Sequence, residues 1–574
     1  MALSSVIHRA SKMMKFRPPP ASAHSTLIGP NRLSSTSRIF STRTVTKIIP
    51  SSYADPNGNS GNEDRLNVSN THQVTNQTPA LGGAAAAAGG APANFFLDDA
   101  ALGDALRALL PEEEGPPAAA AAGLRARTLN HLQNLGREVA SEDTQKWAEQ
   151  ANSNPPKLHQ YDRHGYRVDQ VEFHDSYHAL LTMGVEHEVA CFAWKHEEPG
   201  ALTVRAALYH LMGQADPGAC CPLAMTSAAT PLLREHEVWG DWRRLQSRTY
   251  DPRDLPLFEK SGATLGVAMT EKQGGSDARA NTTTAKPLRP ERRANGEGYL
   301  LRGHKWFCSN PSGDGIITLA QTEKGPSAFL VPRWLPDGSR NTGLRIERLK
   351  DKLGDRSNAT GEIEFHNAFG ILLGEEGEGL AHVMGVVHLN RLDCAVGVAA
   401  QMRAGLRQAL HHAHHREAFG EKLVAQPLMA AVLADLAAES EAATWLALHT
   451  AKAHDDGFFN PEVQAYSRVA VPLAKYALAK RQPAFAAEAL ECLGGNGYSL
   501  QFPPARAFAQ APYNALWEGT SNVMCLDVLR ALRADPAAAE LLRAELAAAR
   551  GLDPRADADA AAARVALRLA LDEE

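Results

Sequence analysis

The sequence predicts an α+β protein in three successive blocks: an N-terminal all-α domain, a middle antiparallel β domain and a C-terminal helical bundle. Three observations carry this. From Asn94 the apolar positions fall at helical spacing, as in Leu97, Leu102, Leu106 and Leu109-Leu110. Between about 262 and 373 short β-branched and aromatic runs alternate with turn clusters. Beyond Gly377 long, Ala-rich periodic stretches return, as a bundle requires.

The first 70 residues are a different material. No Asp or Glu precedes Asp55, while Arg9, Lys12, Lys15, Arg17, Arg32, Arg38, Arg43 and Lys47 lie among serines and threonines. That is the composition of a mitochondrial or plastid transit peptide, with a plain disordered basic tail as the alternative. Arg38-Ile39-Phe40-Ser41 resembles a mitochondrial processing site, so the expected address is the mitochondrion. Residues 55–76 read as polar linker and 80–93 as a Gly/Ala spacer.

Helical runs are predicted at 118–135, 177–194, 202–212 and 225–233, within a domain spanning 71–260. Pro155-Pro156 breaks this block, and Pro222 and Pro231 mark helix starts. The β domain, 261–375, contains Tyr299-Leu300-Leu301, Ile316-Ile317-Thr318-Leu319 and Ala328-Phe329-Leu330-Val331, with a further run at 361–365. Turn clusters such as Lys324-Gly325-Pro326 and Pro336-Asp337-Gly338 separate them. The bundle, 376–533, carries helices at 395–415, 429–454 and 463–493, and 534–574 is an Ala-rich tail.

Composition narrows the function. The 574 residues are 44% hydrophobic and 22% charged, which is globular and ample for a large core. A net charge of −6 argues against nucleic-acid binding through the whole surface. The seven cysteines form no CxxC pair, which points to a reducing compartment. No apolar run looks long enough to span a bilayer.

Three separated stretches carry the chemistry. Ala263-Thr264-Leu265-Gly266-Val267 reads as a buried strand. It runs into Ala-Met-Thr-Glu-Lys-Gln-Gly-Gly-Ser-Asp, residues 268–277. There Gly274 and Gly275 permit a tight turn between the hydroxyls of Thr270 and Ser276. Such a turn can cradle a ring system and a phosphate, or can be a plain surface turn. Gly303-His304-Lys305-Trp306-Phe307-Cys308-Ser309-Asn310 starts another strand. Alternation sends Trp306 and Phe307 to opposite faces, one into the core and one toward a ligand. The third stretch is Leu516-Trp517-Glu518-Gly519-Thr520-Ser521-Asn522, downstream of Gly494-Gly495-Asn496-Gly497. No GxGxxG follows a strand in a βαβ setting, so a Rossmann site is not expected.

In this order and at these separations the three stretches resemble the acyl-CoA dehydrogenase family of flavoproteins, most nearly its AidB branch, over about 71–530. The resemblance implies an α–β–α fold and FAD bound between the β domain and the helices. It places Met269 and Thr270 at the isoalloxazine edge, Gly275 close to the cofactor, and Ser276 at the pyrophosphate. Phe307 stands where the family usually has a tryptophan over the flavin, and Ser309 where it has a threonine near N5. Trp306 is an added aromatic, read as a core residue. Arg416, Phe419 and Gln426 match a segment that reaches across a dimer interface to the neighbour's FAD. Gly494 and Gly495 would lie by the adenosine half, with Glu491 replacing the usual glutamine, and Thr520 and Asn522 by the pyrophosphate.

Glu518 matches the family's base for the α-proton of an acyl-CoA thioester, with flavin N5 as hydride acceptor. A free glutamate, of pKa about 4.3, is a poor base for so weak an acid, and burial would raise it. Its own backbone N–H would help polarise the thioester carbonyl. Trp517 replaces the usual tyrosine and would reshape the acyl pocket. Some relatives place the base just before an arginine in the C-terminal domain, but here that residue is Asn390. The following Arg391 would line the substrate path or serve as a structural ion pair. The implied partners are acyl-CoA, electron-transfer flavoprotein or oxygen as acceptor, and a homo-oligomer built as a dimer of dimers. The AidB resemblance raises a second reading, a protective flavoprotein associated with DNA. The tail lacks the Lys/Arg excess that phosphate binding needs. His411 and His415 sit one helical turn apart without carboxylate or cysteine ligands nearby, so no metal is expected.

Overall fold

The computed structural model describes residues 93–110, 124–240, 242–548, 550–551 and 554–572, with Thr78 and Leu81. The transit-peptide and linker expectations therefore lie outside the described residues, as does most of the spacer.

The N-terminal block comprises α1 (Ala100–Leu109), α2 (Leu124–Ala140), α3 (Glu142–Ser153), α4 (Asp175–Glu186), the single turn α5 (Phe192–Lys195), α6 (Ala201–Ala215) and α7 (Pro217–His236). It is not wholly helical. After Pro155-Pro156, which cannot continue a helix, the chain forms a hairpin of β1 (Lys157–Tyr161) and β2 (Arg167–Glu172). The hairpin docks on the β domain: Gln160 donates to the carbonyls of Ile346 and Glu347 at 3.2 and 2.9 Å. Pro222 and Pro231 do not start helices but lie inside the 20-residue α7. One orphaned acceptor has a replacement: the Ser227 carbonyl, four residues before Pro231, accepts the Trp194 indole N–H at 2.8 Å.

The β domain holds β3 (Leu265–Ala268), β4 (Thr284–Pro287), β5 (Gly298–Ser309), β6 (Gly315–Thr322), β7 (Gly325–Pro332), β8 (Leu344–Leu349) and β9 (Thr360–Leu373). The β5–β9, β9–β7 and β7–β6 pairs are antiparallel, and β8 edges β9. Both β3 and β4 pair antiparallel with β5 and parallel with β6. A strand between two oppositely directed strands must run parallel to one of them, so the sheet is mixed. The pairings β3–β5–β9–β7–β6–β3 close on themselves. Tyr299, Leu301, Cys308, Phe329 and Phe365 fill one buried cluster of the sheet.

The C-terminal bundle contains α8 (Gly379–His415), α9 (Pro427–Gly457), α10 (Pro461–Glu491), α11 (Pro503–Gln510) and α12 (Ser521–Ala534). Helix α8 packs on α6, α9 and α10, and the two helical blocks share one apolar core. That explains a correction: α8 is long and apolar enough to cross a bilayer, but its apolar window lies mostly buried in the protein. The Ala-rich tail contributes α13 (Pro536–Ala548) and α14 (Pro554–Asp572). Ala538, Leu542, Ala563 and Leu567 are buried against Val469, Val528 and Leu532.

Candidate active site

The turn after β3 is held from beneath. The Trp306 N–H donates to the Thr270 carbonyl at 2.8 Å, tying the turn to β5. Glu271, fully buried, pairs with fully buried Lys305 at 2.8 Å. The same carboxylate accepts the amides of Thr282 and Thr283 at 2.7 and 3.1 Å, while Lys305 also donates to the Leu319 carbonyl at 2.8 Å. Burial opposes the Glu271 charge, but Lys305 and the hydrogen bonds outweigh it and hold the carboxyl well below its usual range. The sequence reading missed this pair. Its signal was a lysine amid strand residues that face the core. Gly275 is required where it stands, since a Cβ there would lie 2.4 Å from Thr270 Oγ1. Met269 and Thr270 are half-buried, and Gly275 and Ser276 are exposed.

On β5 the two aromatics depart from expectation. Neither enters the core: Trp306 is half-buried and Phe307 is 48% exposed. The β5–β9 register shifts between Lys305 and Cys308, so strict alternation fails at these two residues. Trp306 instead sits among cations, with Lys350 Nζ 3.4 Å and Lys272 Nζ 5.3 Å from its ring centre. Cys308 takes the core position, and Ser309 is half-buried.

Glu518 occupies the left-handed region at φ 53°, followed by Gly519 at φ 96°. A non-glycine residue held there needs support from its surroundings. Three successive carbonyls supply it. Lys475 on α10 donates to those of Trp517 and, at 2.6 Å, Gly519; Arg391 on α8 donates to that of Glu518 at 2.9 Å. Arg391 also pairs with buried Asp527 at 2.6 Å, and Arg468 meets the same carboxylate at 2.6 Å. Arg391 thus makes the structural ion pair that was one of its two expected roles. Asn390 Nδ2 stands 3.5 Å from a Glu518 carboxylate oxygen. Burial raises the Glu518 pKa, partly opposed by Lys475, Arg391 and Asn390 and reinforced by Asp393. Trp517 packs its ring 3.9 Å from that of Tyr513 and donates to Asn514 at 3.2 Å.

These stretches meet on one wall. Met269 and Trp517 both pack against the apolar cluster that contains Met225 and Leu232 of α7, Val267 of β3 and Val386 of α8. Buried Cys221 of α7 interacts with both the Ser309 hydroxyl and the Glu518 charge; its thiol is pushed well up, first by burial. Thr520 and Asn522 lie exposed at the N-terminus of α12, where free amides favour an anion.

The remaining residues sit on separate, exposed elements. Arg416 and Phe419 belong to a hairpin, β10 (Glu417–Ala418) and β11 (Glu421–Lys422), between α8 and α9. Phe419 is 99% exposed at φ 55°. Gln426 braces the hairpin by donating to the Ala418 carbonyl at 3.1 Å. Glu491, Gly494 and Gly495 cap the far end of α10, with open space where either glycine would carry a Cβ. His415 Nδ1 bonds the His411 carbonyl at 2.8 Å, a contact within the helix.

The geometry defines a class: exposed glycine-rich turns and a helix N-terminus, with a carboxylate of raised pKa next to Trp517, which packs on the apolar cluster. The open glycines, the exposed hydroxyls of Ser276 and Thr520 and the exposed Phe307 ring fit a flavin dinucleotide. Comparison with known proteins agrees. Residues 91–252 match the adaptive response protein AidB N-terminal domain. Residues 266–368 match the acyl-CoA dehydrogenase middle domain, and 377–533 its C-terminal domain. The chain is 43% identical over 426 residues to the putative acyl-CoA dehydrogenase AidB of Escherichia coli, covering 74% of this chain and 77% of that protein. It is 28% identical over 455 residues to acyl-CoA dehydrogenase family member 11 of Caenorhabditis elegans, covering 75% and 70%. The crystal structure of Caenorhabditis elegans ACDH-11 in complex with C11-CoA superposes with a TM-score of 0.73 at 25% identity, over 84% of this chain and 80% of that one. The chain belongs to the acyl-CoA dehydrogenase family, with an N-terminal domain of the AidB type. The family's members are FAD-dependent flavoproteins, and FAD is the cofactor of this chain.

Proposed function

We propose that this protein removes hydrogen across the α and β carbons of an acyl-CoA thioester, with Glu518 as the base. The observation behind this is the Glu518 carboxylate: burial raises its pKa and three cation-held carbonyls fix its backbone. FAD supplies the hydride acceptor when bound. Glu518 takes the α-proton, and its own N–H donates to the thioester carbonyl as negative charge develops there. Met269, Thr270, Gly275, Ser276, Phe307, Ser309, Thr520 and Asn522 hold the cofactor from this chain. Trp517 shapes the acyl pocket. Arg416, Phe419, Gln426, Glu491, Gly494 and Gly495 complete the cofactor site across an interface in a dimer of dimers. Electron-transfer flavoprotein or oxygen would be the electron acceptor. The acid-free basic stretch before Asp55 supports mitochondrial delivery, which localisation of a fluorescent fusion tests.

The test is anaerobic: purified yellow protein is mixed with a panel of acyl-CoA thioesters. Bleaching by one chain class is expected, and Glu518→Gln retains FAD without bleaching. Equal bleaching by that variant removes the assignment.

A second reading rests on the 43% identity to AidB: a protective flavoprotein associated with the alkylation response, with little turnover. Here no thioester bleaches the flavin and duplex DNA is retarded in a mobility-shift titration, progressively less as salt rises.

A further inference from the structure

We propose that Lys475 is a positioning residue for the base: its buried ammonium grips the carbonyls before and after Glu518, fixing both the turn and the charge that the carboxylate faces. The inference rests on the reading of Glu518 as the base. Lys475 lies within α10 and is 1% exposed. A buried ammonium is costly to keep and persists only where its donors are used. Here they go to the carbonyls of Trp517 and Gly519, and no carboxylate among the described residues pairs with it.

The groups facing Glu518 show why this cation matters. From α8 come Asn390, Arg391, Asp393 and Cys394, from α7 Cys221, and from α10 Lys475. The Arg391 charge is shared with Asp527, to which Arg468 also binds. Lys475 is therefore the facing cation whose charge no carboxylate cancels. It heads the influences that keep the Glu518 carboxyl from being driven still higher by burial. A carboxylate whose pKa burial raises is, when ionised, a stronger base than a solvated glutamate.

Two roles for Lys475 predict opposite signs. A merely structural lysine, once removed, loosens the turn and admits water, so the Glu518 carboxyl titrates lower, toward its ordinary range. Loss of a facing positive charge makes it titrate higher, by about one pH unit. The experiment follows the protonated-carboxyl band by difference infrared spectroscopy on the FAD-loaded protein, identifying it as the band lost in Glu518→Gln. Lys475→Met is expected to titrate about one unit above the parent. Lys475→Gln, neutral but still a donor, shifts the same way and serves if the methionine variant does not fold. In both, flavin bleaching slows by about 100-fold while FAD content and acyl-CoA affinity hold. An unchanged or lowered titration overturns the inference. A parent protein that no acyl-CoA bleaches refutes the dehydrogenase reading instead, and the infrared titration still judges Lys475.

Discussion

Glu271 and Lys305 meet at 2.8 Å with neither side chain exposed to solvent. The pair sits under the turn that carries Met269 and Thr270 and anchors it to β5. Removing one partner leaves an uncompensated buried charge. Lys305→Met should therefore cost about 3–5 kcal/mol, read as a lower midpoint of thermal unfolding with loss of bound FAD. The double variant Glu271→Leu with Lys305→Met should recover much of the stability, because no lone charge remains.

A Cβ at position 275 would fall 2.4 Å from Thr270 Oγ1. Gly275→Ala should push the Thr270 hydroxyl from its place and lower the flavin-to-protein ratio of the purified protein. Adding Thr270→Ala removes the clashing oxygen and should restore part of the binding. Equilibrium titration of the apoprotein with FAD measures both.

Asn390 lies 3.5 Å from the Glu518 carboxylate and donates toward it. Asn390→Asp replaces that donor by a like charge, which raises the pKa of the pair's second ionisation. The base must be ionised to work, so the rate falls as pH drops through its pKa. The acid limb of the bleaching rate should thus move to higher pH in the variant. A stopped-flow pH profile with the best thioester checks it.

Phe419 is 99% exposed in a left-handed turn, an arrangement that suits burial against another subunit. Phe419→Asp should dissociate the oligomer and release FAD together, whereas the monomer fold persists. Sedimentation velocity monitored at the flavin and protein wavelengths separates the two outcomes.

Much of this was legible from residue patterns. Period-3.6 apolar spacing located α8, α9 and α10, and short apolar runs between turn clusters located β5, β6, β7 and β9. Local rules failed where a distant partner changed their outcome. Pro222 and Pro231 read as helix starts, yet α7 runs through both, and the Trp194 indole takes up an acceptor that Pro231 orphans. Trp306 and Phe307 read as an inward and an outward residue. The irregular register against β9 keeps both out of the core.

The sequence by itself determined the order of the blocks, the three motif stretches and the identity of the carboxylate at 518. These depend on side-chain type and spacing, which are local. Only the tertiary structure decided what surrounds that carboxylate: Lys475 and Arg391 on its turn, Asn390 and Asp393 near it, and Cys221, which interacts with both it and Ser309. These residues lie on three helices far apart in the chain. Their burial and mutual charge arise when the helices pack, because the desolvation that shifts a pKa belongs to the assembled core.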